Sequence, residues 1–554
     1  MTAMQGPPTS APPLAAPARE TDAGGARGSV PALAFANAEG AARWAKSLPL
    51  LNVATAYEAV IGQLRALSAA EFPPRERATI AEVLREPVAH LHTELARRYA
   101  GKPQPAAGRE LEAVEQAIAL WHALWEQYSA CLKPLLEGDP ELAGVKPKVL
   151  QRGLYVGKEL VVVHGLARRI PPPALWSELH AYYRIAELLE CASTAITDDL
   201  IAQGTDTSCY STYSHALLLG LADPCAMSVK QIELADRWLG MWARKVFPYA
   251  RQRETEGPVI VVDVDSSTGA VLAAAAPAHS PASLRFGYPG KLATSVRGRL
   301  KHLQTGANPA ELRLGHDCSA DQCTSLLGYL DARWYQMPRP APESALPVAT
   351  FELCGGGLDA AYFRVGGRTF ERRDPMDRLT YRDAHHLKTL GAVTEYDHGR
   401  QDAERTSPWE MWRGTFERRD AALVRMADAG QRWALDQLVA VRGGDPATLR
   451  LGYVTRVAQG PEGEFAAGLR LWSGTPKAIS VRPLTIAPTE DPALPALLMP
   501  ETPEDKACLI LPPRTFNPGR MLRTVDTGHE RRFRLARLLK RGVDFERVAF
   551  DETT

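Results

Sequence analysis

Two kinds of hydrophobic pattern divide the chain. Between residues 41 and 250, apolar side chains recur at steps of three and four residues, the period of a helix that buries one face. "RELEAVEQAIALWHALWEQYSACLKPLL" and "LWSELHAYYRIAELLECASTAI" have this spacing, and "SVKQIELADRWLGMWARKVF" opens with Ser228 and Gln231, the spacing of a capping box. The pattern predicts a bundle of six to eight helices. A helical repeat array is the minor alternative, because no fixed repeat length is present.

The period changes after residue 255. "GPVIVVDVDSSTGAVL" is typical of strand, turn and strand, with Asp263 and Asp265 as turn formers. The same two carboxylates also match the strand-end Asp-x-Asp of phosphoryl-transfer enzymes, but those enzymes need a parallel sheet. "SADQCTSLLGYLDARWY" predicts a helix, and "LPVATFELCGGGLDAAYFRV" predicts another strand pair with its glycines at a bend or bulge.

Further short strands follow in the last quarter of the chain and indicate a small barrel or sandwich. In "LRLGYVTRVAQGPEGEFAAGLRLWSG", residues 449–474, two alternating stretches flank a turn, which predicts a β-hairpin. The alternation makes Tyr453, Phe465 and Leu469 the expected core residues, because a strand buries every second side chain.

Two stretches are predicted to lie outside the folded domains. Residues 1–40 are rich in Pro, Ala and Gly with few large apolar side chains, which predicts a disordered tail. Residues 371–408 are polar and charged, which predicts a linker or loop.

Composition excludes several broad classes. The formal net charge of +1 gives no electrostatic reason to expect a nucleic acid polymer as partner. The eight cysteines form no C-x-x-C pair, which favours free thiols in a reducing cytoplasm. The N-terminus does not have the pattern of a signal peptide, and no apolar run reaches the roughly 18 residues of a membrane helix. We therefore predict a cytoplasmic protein without membrane insertion.

One short segment carries the most plausible metal ligands. "HDCSADQC" brings His316, Cys318 and Cys323 close in sequence, but four residues separate the thiols and no second ligand pair follows. His316 and Asp317 also spell the dyad of a metal phosphohydrolase, which needs further ligands on neighbouring helices. Because the chain has neither a Walker phosphate loop nor a G-x-S-x-G elbow, we predict no enzyme, no metal and no cofactor, and keep a metal-dependent hydrolase as an alternative.

Arginine is the remaining chemical signal. The chain has 51 Arg and 14 Lys, which reflects either codon bias in a GC-rich genome or arginines that bind phosphates and guanines. Residues 512–550 carry a local net charge of about +6. "RRFRLARLLKRG" predicts a short helix with Arg534, Arg537 and Arg541 on one side. That face is either solvated or a docking site for an anion or a protein.

The strand-rich end has a family resemblance. "RWALDQLVAVR", followed by "LRLGYVTRVAQGPEGEFAAGLRLWSGTPKAISVRP", resembles the second half of a PilZ-type barrel, in which a strand pair of this kind closes six strands. The whole arrangement is similar to long cytoplasmic PilZ-related proteins of bacteria. The FimW-like members of that group are cyclic-di-GMP effectors of surface behaviour.

The resemblance implies an Arg-x-x-x-Arg motif ahead of the barrel, whose arginines hold phosphate and guanine edges. Two pairs have this spacing, Arg364 with Arg368 and Arg537 with Arg541. Three more arginines precede the late barrel strands with a different spacing. The predicted ligand-binding residues are Arg413, Arg418, Arg419, Arg537 and Arg541.

The family's second motif, Asp/Asn-x-Ser-x-x-Gly, is missing from "RMADAGQRW", where the resemblance places it. Its nearest likeness is "VDVDSSTG", in which Ser266 and Gly269 are correctly spaced but Val264 stands where Asp or Asn belongs. This likeness indicates a second, degenerate PilZ-like sheet around residues 255–370.

The combined prediction is an α+β protein, with a helical N-terminal half followed by a mixed region and a small antiparallel PilZ-like β-barrel. The expected units are a tail (1–40), a helical domain (41–250), a mixed domain (255–370) and a barrel with a basic C-terminal extension (405–554). The predicted function is a non-enzymatic signalling or adaptor protein that binds cyclic-di-GMP and a protein partner. The alternative is a scaffold whose barrel binds protein and no nucleotide.

Overall fold

The computed structural model describes residues 32–553 except 202–205, 254–256, 275–280, 338–347, 371–407, 427–429, 444, 485–491 and 525–530. Its N-terminal half is helical, which confirms the fold class predicted for that half. The described part of this half contains nine α-helices: α1 (Ala38–Lys46), α2 (Val53–Ala69), α3 (Pro74–Tyr99), α4 (Arg109–Ser129), α5 (Leu132–Leu136), α6 (Lys146–Leu166), α7 (Pro173–Leu188), α8 (Cys209–Leu221) and α9 (Val229–Trp242).

Helix α6 is the centre of the bundle, since every residue from Val149 to Leu166 is buried. Two glycines one turn apart let α7 approach it closely. A Cβ added to Gly153 would lie 1.9 Å from the ring of Tyr182, and one added to Gly157 would lie 2.5 Å from Leu179. Because glycine has no side chain, these two positions allow α6 and α7 to pack closely.

The N-terminal end of the bundle differs from the predicted tail. Residues 1–31 lie outside the described residues. Phe35, however, is buried in the helical core, and the amide of Ala34 donates to Gln63 Oε1 at 2.7 Å. The folded part of the chain thus begins before residue 40, because Phe35 and the neighbouring Leu33 hold the short segment before α1 against the core.

The mixed region also differs from its prediction. "GPVIVVDVDSSTGAVL" forms the predicted antiparallel pair, and Asp263 caps its turn by accepting the amide of Asp265. However, these strands do not build a PilZ-like sheet over 255–370. They form a three-stranded sheet that packs on the helical core together with two helices: β1 (Val259–Asp263), β2 (Val271–Ala273), β3 (Leu284–Gly287), α10 (Gly290–Gln304) and α11 (Ala320–Tyr335).

The remaining described strands form two closed six-stranded antiparallel barrels, where a single barrel was predicted. The first barrel contains β4 (Ala349–Cys354), β5 (Glu410–Glu417), β6 (Asp420–Met426), β7 (Leu438–Gly443), β8 (Asp445–Gln459) and β9 (Glu464–Leu471). The second contains β10 (Lys477–Pro483), β11 (Leu494–Met499), β12 (Cys508–Leu511), β13 (Met521–Thr524), β14 (Arg532–Arg541) and β15 (Glu546–Thr553).

The hairpin predicted over residues 449–474 is the pair β8 and β9. Phe465 and Leu469 are buried in the first barrel, as expected, but Tyr453 is only partly buried and lies between the barrels. The register shifts between Val454 and Arg456, so the extra residue reverses which side of β8 faces inward. This bulge explains why simple alternation placed Tyr453 in the wrong core.

Helix α12 (Gly357–Gly366) occupies the junction of the two barrels and packs on β7, β10 and β11. The segment had been predicted to form a second strand, but Leu358, Ala361 and Tyr362 are buried at helical spacing. They join residues of both barrels in one apolar cluster, which we call the inter-barrel core; its other members include Leu451, Trp472, Leu497, Met499, Ile510 and Phe545.

The helical half contacts the first barrel through backbone hydrogen bonds and an ion pair. Gln104 and Trp433 exchange two backbone hydrogen bonds, at 2.7 and 2.6 Å. Asp223, at the end of α8, accepts from Arg333 of α11 at 2.6 Å and from Arg456 of β8 at 2.9 Å. These bonds tie β8 to the helical half.

Candidate functional site

The five predicted ligand arginines lie on different parts of the two barrels. Arg413 points outward from β5, and Arg418 and Arg419 form the turn between β5 and β6. Arg537 and Arg541 belong to β14 of the second barrel. The five arginines therefore belong to three different surface elements. The binding site that they were predicted to form together stays a prediction.

The helix predicted over residues 534–541 is wrong, because this segment is strand β14. Phe533 and Leu535 are buried while Arg532 and Arg534 are exposed, which is the alternation of a strand. The arginine spacing alone fits both a helix face and a strand. The alternation of the first four residues in "RFRLARLLKR" was the signal that could have decided between them.

Two of these arginines already neutralise carboxylates. Arg419 contacts Glu504 at 2.9 Å and Asp505 at 3.0 Å, both on the second barrel's side of the interface. Arg541 contacts Glu546, whose side chain is buried, at 3.0 Å. A phosphate would have to replace a carboxylate at either arginine, which lowers the net gain of binding there.

A second group of arginines converges on one indole ring, and we call Arg364, Trp409, Arg442 and Glu352 the Arg–Trp cluster. The guanidinium of Arg364 lies 5.0 Å from the centre of the Trp409 ring, and that of Arg442 lies 4.9 Å from it. Both distances are in the range of cation–π contacts. Arg442 also forms an ion pair of 2.6 Å with Glu352.

Strand geometry explains this convergence. On β5, Glu410 and Trp412 are buried, so Trp409, Met411 and Arg413 face outward. Glu352 pairs with Met411 on one side and with Arg442 on the other, which puts all three strands' outward residues on one face. Arg413 is four residues along β5 from Trp409, or about 13 Å at the rise of a strand. One of the five predicted arginines thus shares a barrel face with the cluster.

Arg364 reaches this face because of the glycines before α12. Gly356 and Gly357 have φ values of 93° and 73°, a conformation that favours glycine, and they turn the chain from β4 directly into the helix. The helix then carries Arg364 back over the end of β5. The sequence shows only the four-residue spacing of Arg364 and Arg368, whereas the contact of Arg364 with Trp409 depends on the fold.

The chemistry of the cluster suits a ligand with phosphates and flat rings. An aromatic ring holds a guanidinium in a fixed plane, so its N–H groups are presented as a fork that matches phosphate or the O6 and N7 edge of guanine. A half-buried indole also offers a surface for stacking a base. Glu352 balances part of the positive charge.

The alternative metal centre finds no support in the described residues, which contain no group of three His, Cys, Asp or Glu side chains placed to hold a metal. Asp317 pairs instead with Lys230 and Arg237. Hydrogen bonds from those two side chains hold the pKa of Asp317 well below its usual range. This carboxylate serves as an ion-pair partner between α9 and the start of α11.

The part of the chain that the structure describes has no helix with the length and apolar character needed to cross a bilayer. Comparison with known families gives two matches. Residues 39–248, which form the helical bundle, match the N-terminal domain of the cyclic-di-GMP receptor FimW. Residues 479–553, which form the second barrel, match the FimW C-terminal β-barrel domain.

No curated protein and no solved structure is detectably similar to the chain. The two family matches are in the same order as the helical half and the second barrel, and together they cover just over half of the 554 residues. The first barrel lies between them, outside both matches. The chain belongs to the FimW family.

Proposed function

We propose that this chain is a non-enzymatic, cytoplasmic effector that binds cyclic-di-GMP. The observation that carries the proposal is the match of both the helical half and the second barrel to FimW, which is described as a cyclic-di-GMP receptor. A receptor of this kind works by changing its contacts when the nucleotide binds, so it needs a binding surface that is coupled to its domain junctions.

The Arg–Trp cluster and Arg413 are the site that we propose for the nucleotide. Cyclic-di-GMP carries two phosphates and two guanines, which call for several arginines and a stacking surface near one another. The outer face of β7, β4 and β5 provides Arg442, Trp409 and Arg413, and α12 adds Arg364. Because α12 packs on both barrels, a ligand held by Arg364 acts directly on their junction.

The other predicted arginines define competing sites. Arg418 and Arg419 at the β5–β6 turn are one alternative, and Arg537 and Arg541 on β14 are the other. Each set can be tested separately, because the three sets lie on different surface elements of the chain.

Calorimetric titration of the full chain with cyclic-di-GMP tests both the function and the site. Arg442→Lys keeps the charge but loses the planar fork, so it should weaken binding nearly as much as Arg442→Ala. Loss of one charge-assisted contact costs about 1.5–3 kcal/mol, or roughly tenfold or more in affinity. Trp409→Leu should weaken binding through lost stacking. Arg537→Ala is the matched control and should bind like the wild type.

The outcomes separate the function from the site. If the wild type binds and Arg418→Lys with Arg419→Lys loses affinity while Arg442→Lys does not, the site lies at the β5–β6 turn. If affinity falls only in Arg537→Ala or Arg541→Ala, the site lies on β14. Absence of binding by the wild type in low salt, where phosphate contacts are strongest, would refute the receptor function itself.

A protein-binding scaffold is the second candidate, and one surface favours it. Val348 immediately precedes β4, and Met411 and Val424 lie on the outer side of β5 and β6; their exposed fractions are 73%, 62% and 43%. Exposed apolar side chains grouped on one face are typical of protein contact surfaces. If the nucleotide does not bind, this face becomes the leading functional surface, and Met411→Asp is the substitution that should disrupt it without unfolding the barrel.

A further inference from the structure

The segment "HDCSADQC" brings two thiols into direct contact at the start of α11. The Sγ atoms of Cys318 and Cys323 are 2.9 Å apart. Both cysteines are free. We propose that Cys318 and Cys323 are a thiol–disulfide site, which a low-molecular-weight disulfide such as oxidised glutathione converts to an intramolecular disulfide.

The start of α11 explains why the thiols meet. Ser319 is the N-cap of this helix and forms a capping box with Gln322, in which each side chain binds the other residue's amide. Cys318 and Cys323 then occupy the positions immediately before the cap and four residues after it. Apolar residues at these two positions pack together at many helix N-termini. Here both are cysteines, so the packing contact is also a reactive contact.

The two thiols have different access to solvent. Of the eight cysteines, Cys318 is partly exposed and the other seven are buried. Burial raises the pKa of the Cys323 thiol, so this group is held as the protonated thiol at neutral pH. Cys318 is therefore the sulfur that an oxidant in solution meets first, and Cys323 is the sulfur that completes the disulfide.

The reaction balances with one oxidised glutathione. The thiolate of Cys318 attacks one sulfur of glutathione disulfide, which forms a mixed disulfide and releases one glutathione thiolate. Cys323 then gives its proton to solvent base, and its sulfur attacks Sγ of Cys318 and releases the second glutathione. The protein loses two hydrogen atoms, and one glutathione disulfide becomes two glutathione thiols. The protein sulfurs must approach by about 0.9 Å to reach the roughly 2.0 Å of a disulfide.

The site is placed where it can affect the rest of the protein. Asp317, next to Cys318, pairs with Arg237 of α9 at 2.7 Å. At the other end of α11, Arg333 pairs with Asp223, which also holds Arg456 of the first barrel. A disulfide at the start of α11 therefore fixes one end of a helix whose other end shares the Asp223 carboxylate with β8.

Mass spectrometry of the reduced full chain tests the site. After treatment with oxidised glutathione, unfolding and alkylation, the tryptic peptide that spans residues 314–333 should lack both alkyl groups and be lighter by two hydrogen atoms than the unalkylated dithiol peptide. The other six cysteines should be alkylated, and dithiothreitol should reverse the change. The oxidised chain should also melt at a higher temperature than the reduced chain.

Single substitutions separate a paired site from a reactive lone thiol. Cys323→Ala should accumulate one glutathione on Cys318, because no neighbouring thiol can release it. Cys323→Val, which fills more of the buried space, should do the same if the alanine variant is poorly folded. Cys318→Ala should leave Cys323 unmodified, because that thiol is buried.

Three results would overturn the proposal. The first is a stable glutathione adduct on Cys318 of the wild type with no disulfide. The second is rapid alkylation of Cys318 by iodoacetamide while glutathione disulfide modifies neither thiol. The third is modification of Cys323 in Cys318→Ala at the rate seen in the wild type.

Discussion

The two barrels have the same topology and different interiors. Numbered within each barrel, their strands follow the same circular order, 1-2-3-6-5-4. In both, the fifth and sixth strands form a long pair with a register shift, at Val454/Arg456 in one and at Leu535/Arg537 in the other. The second pair has a further shift at Leu538/Lys540. Such bulges bend a long strand locally, which helps a small barrel to close.

The residues that fill the two barrels differ, although the strand order is the same. The first barrel buries Trp412, Trp433 and Phe465 together, and the indole N–H of Trp433 donates to the buried carboxylate of Glu410 at 3.2 Å. The second barrel is filled mainly by aliphatic residues with Phe533. The first barrel also carries α12 and contacts the helical half. The two barrels thus share their strand order and differ in the residues that fill them and in the elements packed around them.

The largest effect is expected from a charge inside the first barrel. Leu469 is 1% exposed, and Leu469→Asp removes about 1.5–3 kcal/mol of apolar burial and adds the cost of burying an unpaired carboxylate. The first barrel should unfold. Loss of the near-ultraviolet circular dichroism of Trp412 and Trp433 would report it, because both are enclosed by this core.

Val424→Asp is the matched control for that change. It introduces the same carboxylate on the adjoining β6, but Val424 is exposed, so the free energy of unfolding should change by no more than about 0.5 kcal/mol. If Leu469→Asp and Val424→Asp are equally stable, the assignment of inward and outward faces to this barrel is wrong.

A smaller effect is expected at the inter-barrel core. Phe545, at the β14–β15 turn of the second barrel, is fully buried against Trp472 and Tyr453. Phe545→Ala should lower the free energy of unfolding by about 3–5 kcal/mol. Because the lost contacts lie between the barrels, calorimetry should show their unfolding separating into two transitions.

Phe550→Ala provides the comparison, since Phe550 packs on Phe533 within the second barrel. It should lower the melting temperature of that barrel without uncoupling it from the first. A single transition in both variants would mean that the inter-barrel core does not couple the two barrels.

The smallest expected effect is the dependence of stability on pH. Two partly buried carboxyl groups, one in each half of the molecule, contribute to this dependence with opposite signs. Burial raises the pKa of Asp544, at the inter-barrel junction, to about 6, although the amide of Leu438 donates to it. In the helical half, burial acts in the same direction on Glu82, but the hydrogen bond from Arg152 and the charge of Arg85 outweigh it and lower its pKa to about 2.

The sign follows from which state binds the proton more tightly. The folded state binds the Asp544 proton more tightly than the unfolded state does. The contribution of Asp544 to the free energy of unfolding should therefore rise on the order of 2 kcal/mol as pH falls from 6 towards 4. For Glu82, the unfolded state binds the proton more tightly. The stabilisation that ionised Glu82 provides is therefore lost as pH falls from about 4.5 towards 2. Urea denaturation at pH 7 and pH 5 should show the wild type gaining stability relative to Asp544→Asn; an equal pH response in both would contradict the raised pKa.

Local patterns in the sequence were sufficient for much of the fold. The helical period identified the bundle, the spacing of Ser228 and Gln231 identified a real capping box, and the alternation over 449–474 identified the β8–β9 hairpin. The family resemblance identified the architecture. Each of these depends on residues close together in sequence, where hydrophobic period and capping geometry act directly.

The candidate site was only partly accessible from the sequence. Arg413 was predicted as a ligand residue and lies on the same face as the Arg–Trp cluster, but Trp409 and Arg442 were missed. Arg–x–x–x–Arg spacing says nothing about which strand pairs with which, and Arg442 reaches Trp409 only because β7 pairs with β4 and β4 with β5. The arginines of β14 are a different case: their spacing fits a helix face, and the alternation that indicates a strand extends over only the first four residues of the segment.

By itself, then, the sequence determined the order of helical and strand-rich halves, the hairpin and the capped start of α9. Only the tertiary structure decided that the strands close into two barrels, that a bulge turns Tyr453 towards their junction and that α12 brings Arg364 to Trp409. The physical reason is that hydrophobic period is a property of neighbouring residues, whereas register, closure and convergence depend on which distant segments bury surface against each other.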